Sequence, residues 1–165
     1  MNVKKYFLLK LLILIILFSR VSYSQETPDK IVDINLSSMT KTIKRGSLVN
    51  LELLMNIKEG WHVNSNKPLD PNMVPTVVSL KDTAIYKIKS IKYPQPHLKK
   101  LSFSENELSL YEDIATVKIQ LIINKNCNKK SIIISGKIQY QPCNEQTCLF
   151  PVTKSFSANL KIAGE

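Results

Sequence analysis

The chain has 165 residues, 44% of them hydrophobic and 22% charged, with 23 Lys and Arg against 13 Asp and Glu. That length suits one domain, and that composition excludes a wholly disordered chain. The formal charge of +10 raises nucleic-acid binding, but the basic residues stand mostly singly, in runs no longer than pairs such as Lys99–Lys100 and Lys129–Lys130, and no nucleic-acid motif accompanies them.

Residues 1–24 read as a secretory signal. Lys4 and Lys5 form a positive start, Leu11 to Phe18 an apolar core, and Ser22 and Ser24 place small residues before Gln25. The apolar run is shorter than the roughly 20 residues a bilayer requires, although Arg20 beyond it keeps an uncleaved anchor as the alternative. No Cys lies near the cleavage point to make a lipoprotein. Removing residues 1–24 takes Lys4, Lys5, Lys10 and Arg20 and no acid, which lowers the formal charge from +10 to +6. That balance is a solvated surface on a secreted domain spanning residues 25–165.

Beyond the signal the dominant period is two, the mark of half-buried strands. A weak strand is expected over Ile31–Leu36, followed by a turn at Lys44-Arg45-Gly46-Ser47. Leu51, Leu53, Met55 and Ile57 then alternate with polar residues. A polar, Pro-bearing insertion covers Asn64–Pro75. Weak strands follow over Thr76–Leu80 and Ile85–Tyr93, and a second insertion covers Pro94–Asp113. That insertion holds Leu98, Leu101, Phe103, Leu108 and Leu110, too apolar for a solvated loop, so it must lie on something. Val117, Ile119, Leu121 and Ile123 alternate next. After the polar turn Asn124–Lys130 come Ile132, Ile134, Ile138 and Tyr140, and finally Phe156, Ala158, Leu160 and Ile162. No helical stripe and no repeat appears. About seven or more strands with one apolar face each predict an all-β, immunoglobulin-like antiparallel sandwich of two sheets.

The three Cys divide by position. Cys143 and Cys148 are five apart, immediately after the strand that ends at Tyr140, a spacing that fits a hairpin whose ends approach disulfide distance. Cys127 precedes that strand. About 3.3 Å per residue along the strand carries it to the opposite pole, as a lone thiol. The Cys143–Cys148 bridge reads equally as a staple or as a redox pair. Closing so short a loop contributes only about 2 kcal/mol in the chain-entropy model, and short turn-borne disulfides include the reducible ones. A metal site is weakly supported, since only His62 and His97 supplement the thiols, and no cofactor is expected. Trp61 reads as core. Tyr140 and Tyr111 are expected near the hairpin with their hydroxyls toward solvent, and Glu145 as a turn acid able to raise a thiol pKa.

Several segments together resemble the N-terminal periplasmic domain of the DsbD thiol:disulfide interchange family, or disulfide bond corrector domain. They are Ile57-Lys58-Glu59-Gly60-Trp61-His62, then Phe103-Ser104-Glu105 with Leu110-Tyr111-Glu112-Asp113, then Tyr140-Gln141 with Cys143, Cys148, Pro151, Thr153 and Lys154. The resemblance implies an immunoglobulin-like fold whose Cys pair carries electrons, as a protein-disulfide reductase or exchange carrier, in the periplasm. It implies Cys148 as the residue that forms mixed disulfides, Cys143 as its resolving partner, and Phe103 as the aromatic of a cap loop over the bridge. His62 falls where the family carries an aromatic beside the site. Its implied partners are a thioredoxin-like or membrane electron donor on another polypeptide and oxidised exported proteins. Neither nucleic acid nor stable membrane insertion after signal removal is implied. The Cys ring encloses four residues, one fewer than in the best-known members, and Phe150 stands where Pro is frequent. The alternative function is a non-catalytic protein-binding sandwich with a structural hairpin disulfide.

Overall fold

The computed structural model describes residues 27–40 and 42–163. The expected signal peptide, with its cleavage after Ser24, lies outside the described residues. The described residues form twelve strands: β1 Val32–Ser38, β2 Thr42–Ile43, β3 Leu48–Ile57, β4 His62–Asn64, β5 Val77–Ser79, β6 Tyr86–Lys92, β7 His97–Lys99, β8 Leu108–Tyr111, β9 Ile114–Ile123, β10 Ser131–Tyr140, β11 Pro142–Cys143 and β12 Val152–Ile162. Among the described residues the single helix is a 3-10 turn at Pro28–Lys30.

The strands that the alternating pattern marks build the sandwich. One sheet has the order β1-β3-β9-β6 and the other β2-β12-β10-β5. In β3, Val49, Leu51, Leu53, Met55 and Ile57 are buried, and Leu53 sits opposite Leu36 of β1 and Val117 of β9. In the facing sheet Ile132, Ile134, Ile138 and Tyr140 of β10 turn inward beside Phe156, Leu160 and Ile162 of β12. These inner faces share one continuous core, the arrangement that removes most apolar surface from water in a two-layer fold. All pairings in both sheets are antiparallel except β2 with β12, which is parallel.

A third sheet, absent from the two-sheet expectation, has the order β11-β4-β8-β7. Its strands are two to four residues long, too short to show a period, and three of them continue sandwich strands. β4 follows β3 through the Glu59–Gly60 turn, where Gly60 takes φ +77°, a conformation costly for any residue with a Cβ. β8 leads into β9 across Glu112 and Asp113, and Asp113 takes φ +54° while its carbonyl accepts the Ile57 amide at 2.7 Å. β11 follows β10 across Gln141. This sheet therefore stands at the pole where β3 and β10 end and β9 begins. Cys127, a free and buried thiol, lies between β9 and β10 at the other pole, as its spacing requires.

Candidate functional site

The Cys hairpin grows out of β10 by changing sheets. After Gln141 the chain leaves β10's ladder, and Pro142 and Cys143 pair instead with Val63 and His62 of β4. β11 is the edge of its sheet, where a proline without an amide hydrogen is tolerated. Leu149 N donates to the Pro142 carbonyl at 2.8 Å, and Asn144 N donates to the Thr147 carbonyl at 2.9 Å. The Asn144 side-chain oxygen accepts the amides of Gln146 and Thr147, both at 2.9 Å, which closes the turn. Between these two rungs Cys143 and Cys148 face each other as a non-hydrogen-bonded pair, the position where opposed side chains approach most closely. Their Cα atoms are 3.9 Å apart, and the sulfurs are bonded.

The two sulfurs have unequal surroundings. Cys143 is 0% exposed and belongs to a small apolar cluster with Leu101, Leu108 and Leu110, separate from the sandwich core. Cys148 is half-buried at the rim of that cluster beside Met73, whose Sδ lies 3.9 Å from Cys148 Sγ. The apolar residues of the 94–113 insertion thus do lie on something. Three of its leucines cover the disulfide, and Leu101, at 0% exposed, comes from the 100–107 loop between β7 and β8. Phe103 stands two residues further along that loop and is 37% exposed, while Leu98 of β7 is exposed outright. Phe150, just past the pair, is 85% exposed. The other insertion is fastened to the hairpin by Gln141. Its side-chain oxygen accepts Val74 N at 2.9 Å and Asn64 Nδ2 at 3.0 Å, and its amide nitrogen donates to the Leu149 carbonyl at 3.1 Å.

Charged groups ring the other side. His62 is buried directly opposite Cys143. Lys99 Nζ lies 3.3 Å from His62 Nε2 and 3.3 Å from a Glu145 carboxylate oxygen. An ammonium only donates, so Nε2 accepts and the ring proton resides on Nδ1. The Glu112 carboxylate is 3.2 Å from Nδ1 but off the line of the N–H, so this contact is electrostatic rather than an aligned hydrogen bond. Burial first, and then the Lys99 charge, push the His62 pKa below its ordinary value, against Glu112, Glu145 and Asp113, which raise it. The ring is neutral at neutral pH.

Cys143, Cys148, His62 and Glu145 of the sequence-derived set come together here. Tyr140 does not join them: it lies wholly buried in the sandwich core, and its hydroxyl has no hydrogen-bond partner among the described residues. The solvent-facing hydroxyls expected for Tyr140 and Tyr111 are both corrected, since Tyr111 is buried and its hydroxyl donates to Asn66 Oδ1 at 2.7 Å. Tyr140 faces inward with the apolar parity of β10, whereas Tyr111 ends a strand whose four residues are all buried and turns into the sandwich core, away from the cluster of Leu108 and Leu110. Met73 and Lys99 carry no signal in the sequence because they lie on an insertion and a three-residue strand, and Glu112 and Gln141 enter it only within family-like segments, since their site contacts are made across strand connections. The five apolar residues of the 94–113 segment carried the one usable signal, that something there had to be covered. Among the described residues, no group of three or more His, Cys, Asp or Glu side chains is placed to hold a metal ion.

Residues 37–160 match the family model described as thiol:disulfide interchange protein DsbD, N-terminal. The chain belongs to this family. Among solved structures it is similar to the N-terminal periplasmic domain of ScsB from Proteus mirabilis, with a TM-score of 0.52 and 12% identity, over 82% of this chain and 49% of that one. It thus spans about half of that structure, and at such identity the likeness speaks for the fold alone. A family 123 glycoside hydrolase from Clostridium perfringens aligns with a TM-score of only 0.32 at 9% identity, over 81% of this chain and 28% of that one, and carries no argument. No curated protein matches the sequence. The family and the bridged Cys pair make this a thiol:disulfide interchange domain with an immunoglobulin-like β-sandwich fold. No described helix is long and apolar enough to cross a membrane.

Proposed function

We propose that the chain is a periplasmic electron carrier whose Cys143–Cys148 pair passes reducing equivalents from a thioredoxin-like or membrane-borne dithiol to oxidised exported proteins. The observation that carries this reading is the unequal burial of the two cysteines in a member of an interchange family: Cys143 is sealed, and Cys148 is half-buried at the rim of the cluster. A thiolate of the donor attacks Cys148 Sγ, the Cys143–Cys148 bond breaks, and Cys143 departs as a thiolate that takes a proton. The donor's second thiolate then attacks its own sulfur in the mixed disulfide and releases Cys148. Two electrons and two protons have moved, and the donor is left oxidised. In the second half-reaction the Cys148 thiolate opens the acceptor's disulfide, and Cys143 resolves the adduct by closing the bridge again.

Phe103 and Leu101 act in this scheme as the cover that limits access to the pair, and export relies on the signal over residues 1–24. The test is trapping in the cell envelope. Cys143→Ser should accumulate mixed disulfides at Cys148, whereas Cys148→Ser should accumulate none. A pair that resists mild dithiol until the protein unfolds, with no trapped adduct, would leave the structural-staple reading in its place.

A further inference from the structure

We propose that Lys99 is a positioning residue for the disulfide. Its ammonium ties the tip of the Cys hairpin, through Glu145, and the His62 ring opposite Cys143 to the base of the 100–107 loop, and release of this tie is a step in uncovering Cys148. The inference rests on the exchange reading of the pair.

The tie joins segments distant in sequence. Glu145 sits in the turn between the two cysteines, and its carboxylate lies 3.3 Å from Lys99 Nζ. His62 lies on β4 in register with Cys143, and its Nε2 is 3.3 Å from the same nitrogen. Lys99 is the last residue of β7, and two residues later the chain delivers Leu101 onto Cys143. Glu112, following β8, closes the far end at 3.2 Å from His62 Nδ1. Carboxylate, imidazole, ammonium and carboxylate thus alternate around the pair, and one side chain contacts both the hairpin and its neighbouring strand. Leu101 cannot swing away from Cys143 with β7 moving alongside unless Lys99 leaves Glu145 and His62.

The contact with His62 needs a free lone pair on Nε2. The groups facing the ring are Lys99 from β7, Glu145 from the hairpin, and Glu112 and Asp113 from the β8–β9 connection. When the ring takes a proton, Lys99 loses its acceptor and meets a like charge. Burial delays that protonation to below the ordinary histidine range, so the tie holds at neutral pH and loosens in acid.

The experiment follows reduction of the folded, oxidised protein by an uncharged phosphine, with thiols alkylated at intervals and counted by mass. The phosphine becomes its oxide with oxygen from water, and the bridge becomes two thiols. Lys99→Met and Glu145→Gln should each accelerate reduction at neutral pH by about two- to five-fold, the effect of losing one half-exposed ion pair, and Lys99→Arg should stay near the native rate. The two neutralising variants alter local charge in opposite senses, so a direct field effect on the thiols would move them apart, whereas loss of the tie moves them together. The ratio of the Lys99→Met rate to the native rate cancels the reagent's own ionisation and should fall toward one in acid. A ratio of one at every pH, or opposite shifts in the two variants, overturns the proposal while leaving the exchange reading intact. A bridge inert to phosphine in native and variant proteins alike overturns both.

Discussion

Leu101→Ala removes the side chain that covers Cys143 from the 100–107 loop. Leu101 is completely buried, yet its cluster holds only Leu108, Leu110 and Cys143, with Met73 and Cys148 at the rim. Burial contributes about 0.8 kcal/mol per methylene, and a small cluster beneath a loop can collapse around the gap, so the loss falls at the low end of the Leu→Ala range, about 2 kcal/mol. If the loop opens locally, without the sandwich, that energy falls on the opening equilibrium and shifts it about 30-fold. The assay pairs two measurements on the oxidised protein: unfolding by urea, and the rate at which a dithiol reduces the bridge with no denaturant present. Reduction should accelerate about 30-fold, and the urea midpoint should fall by no more than the equivalent of the same roughly 2 kcal/mol, because Leu101 is uncovered in the opened loop and in the unfolded chain alike. An unchanged reduction rate, whatever happens to the midpoint, would refute the assignment of Leu101 as cover. Phe103→Ala should accelerate reduction less than Leu101→Ala, since Phe103 is already 37% exposed.

Two further outcomes test the sandwich itself. Gly136→Ala places a methyl 2.5 Å from Phe156 Cζ and 2.7 Å from the Ser79 carbonyl oxygen, which as backbone cannot step aside; the urea midpoint should fall by an amount equivalent to about 1–3 kcal/mol, and an unchanged midpoint would contradict the β5–β10 packing. Tyr140→Phe should be neutral or slightly stabilising near neutral pH, because it removes a buried hydroxyl that has no partner among the described residues. Burial, aided by Asp29 and Asp33, raises the Tyr140 pKa well above its ordinary value. The folded chain therefore keeps a proton that the unfolded chain gives up above about pH 10, and stability falls as pH rises beyond that point. Tyr140→Phe should flatten this alkaline decline in urea midpoints, leaving the part due to Tyr86 and Tyr111, whose pKa values are also raised; an identical decline would mean that Tyr140 does not titrate with unfolding.

Much of the sandwich is legible from period alone. The alternation in Leu51–Ile57, Val117–Ile123, Ile132–Tyr140 and Phe156–Ile162 falls inside β3, β9, β10 and β12, because a strand with one face in a core writes its environment at every second residue. The weaker expectations over Ile31–Leu36, Thr76–Leu80 and Ile85–Tyr93 fall on β1, β5 and β6. The disulfide was legible too, since two Cys five apart after a strand leave few other geometries. The third sheet was not. β4, β7, β8 and β11 have two to four residues each, and His62, Val63 and Asn64 are all buried, so no alternation survives to be read. Tyr140 points into the core because it shares the buried parity of β10, close to a loop in sequence though it is, while Tyr111 ends a strand buried at all four residues, where no parity tells which way a ring points.

The amino-acid sequence by itself determined the class of fold, the pairing of Cys143 with Cys148 and the isolation of Cys127, because each follows from local spacing along a single strand or turn. Only the tertiary structure decided which cysteine is sealed and which is half-buried at the rim, that Leu101 and Met73 flank the bridge, and that Lys99 gathers His62 and Glu145 beside it. Those groups come from segments dozens of residues apart, and the forces that bring them together are burial and charge summed over the whole fold, which no local pattern records.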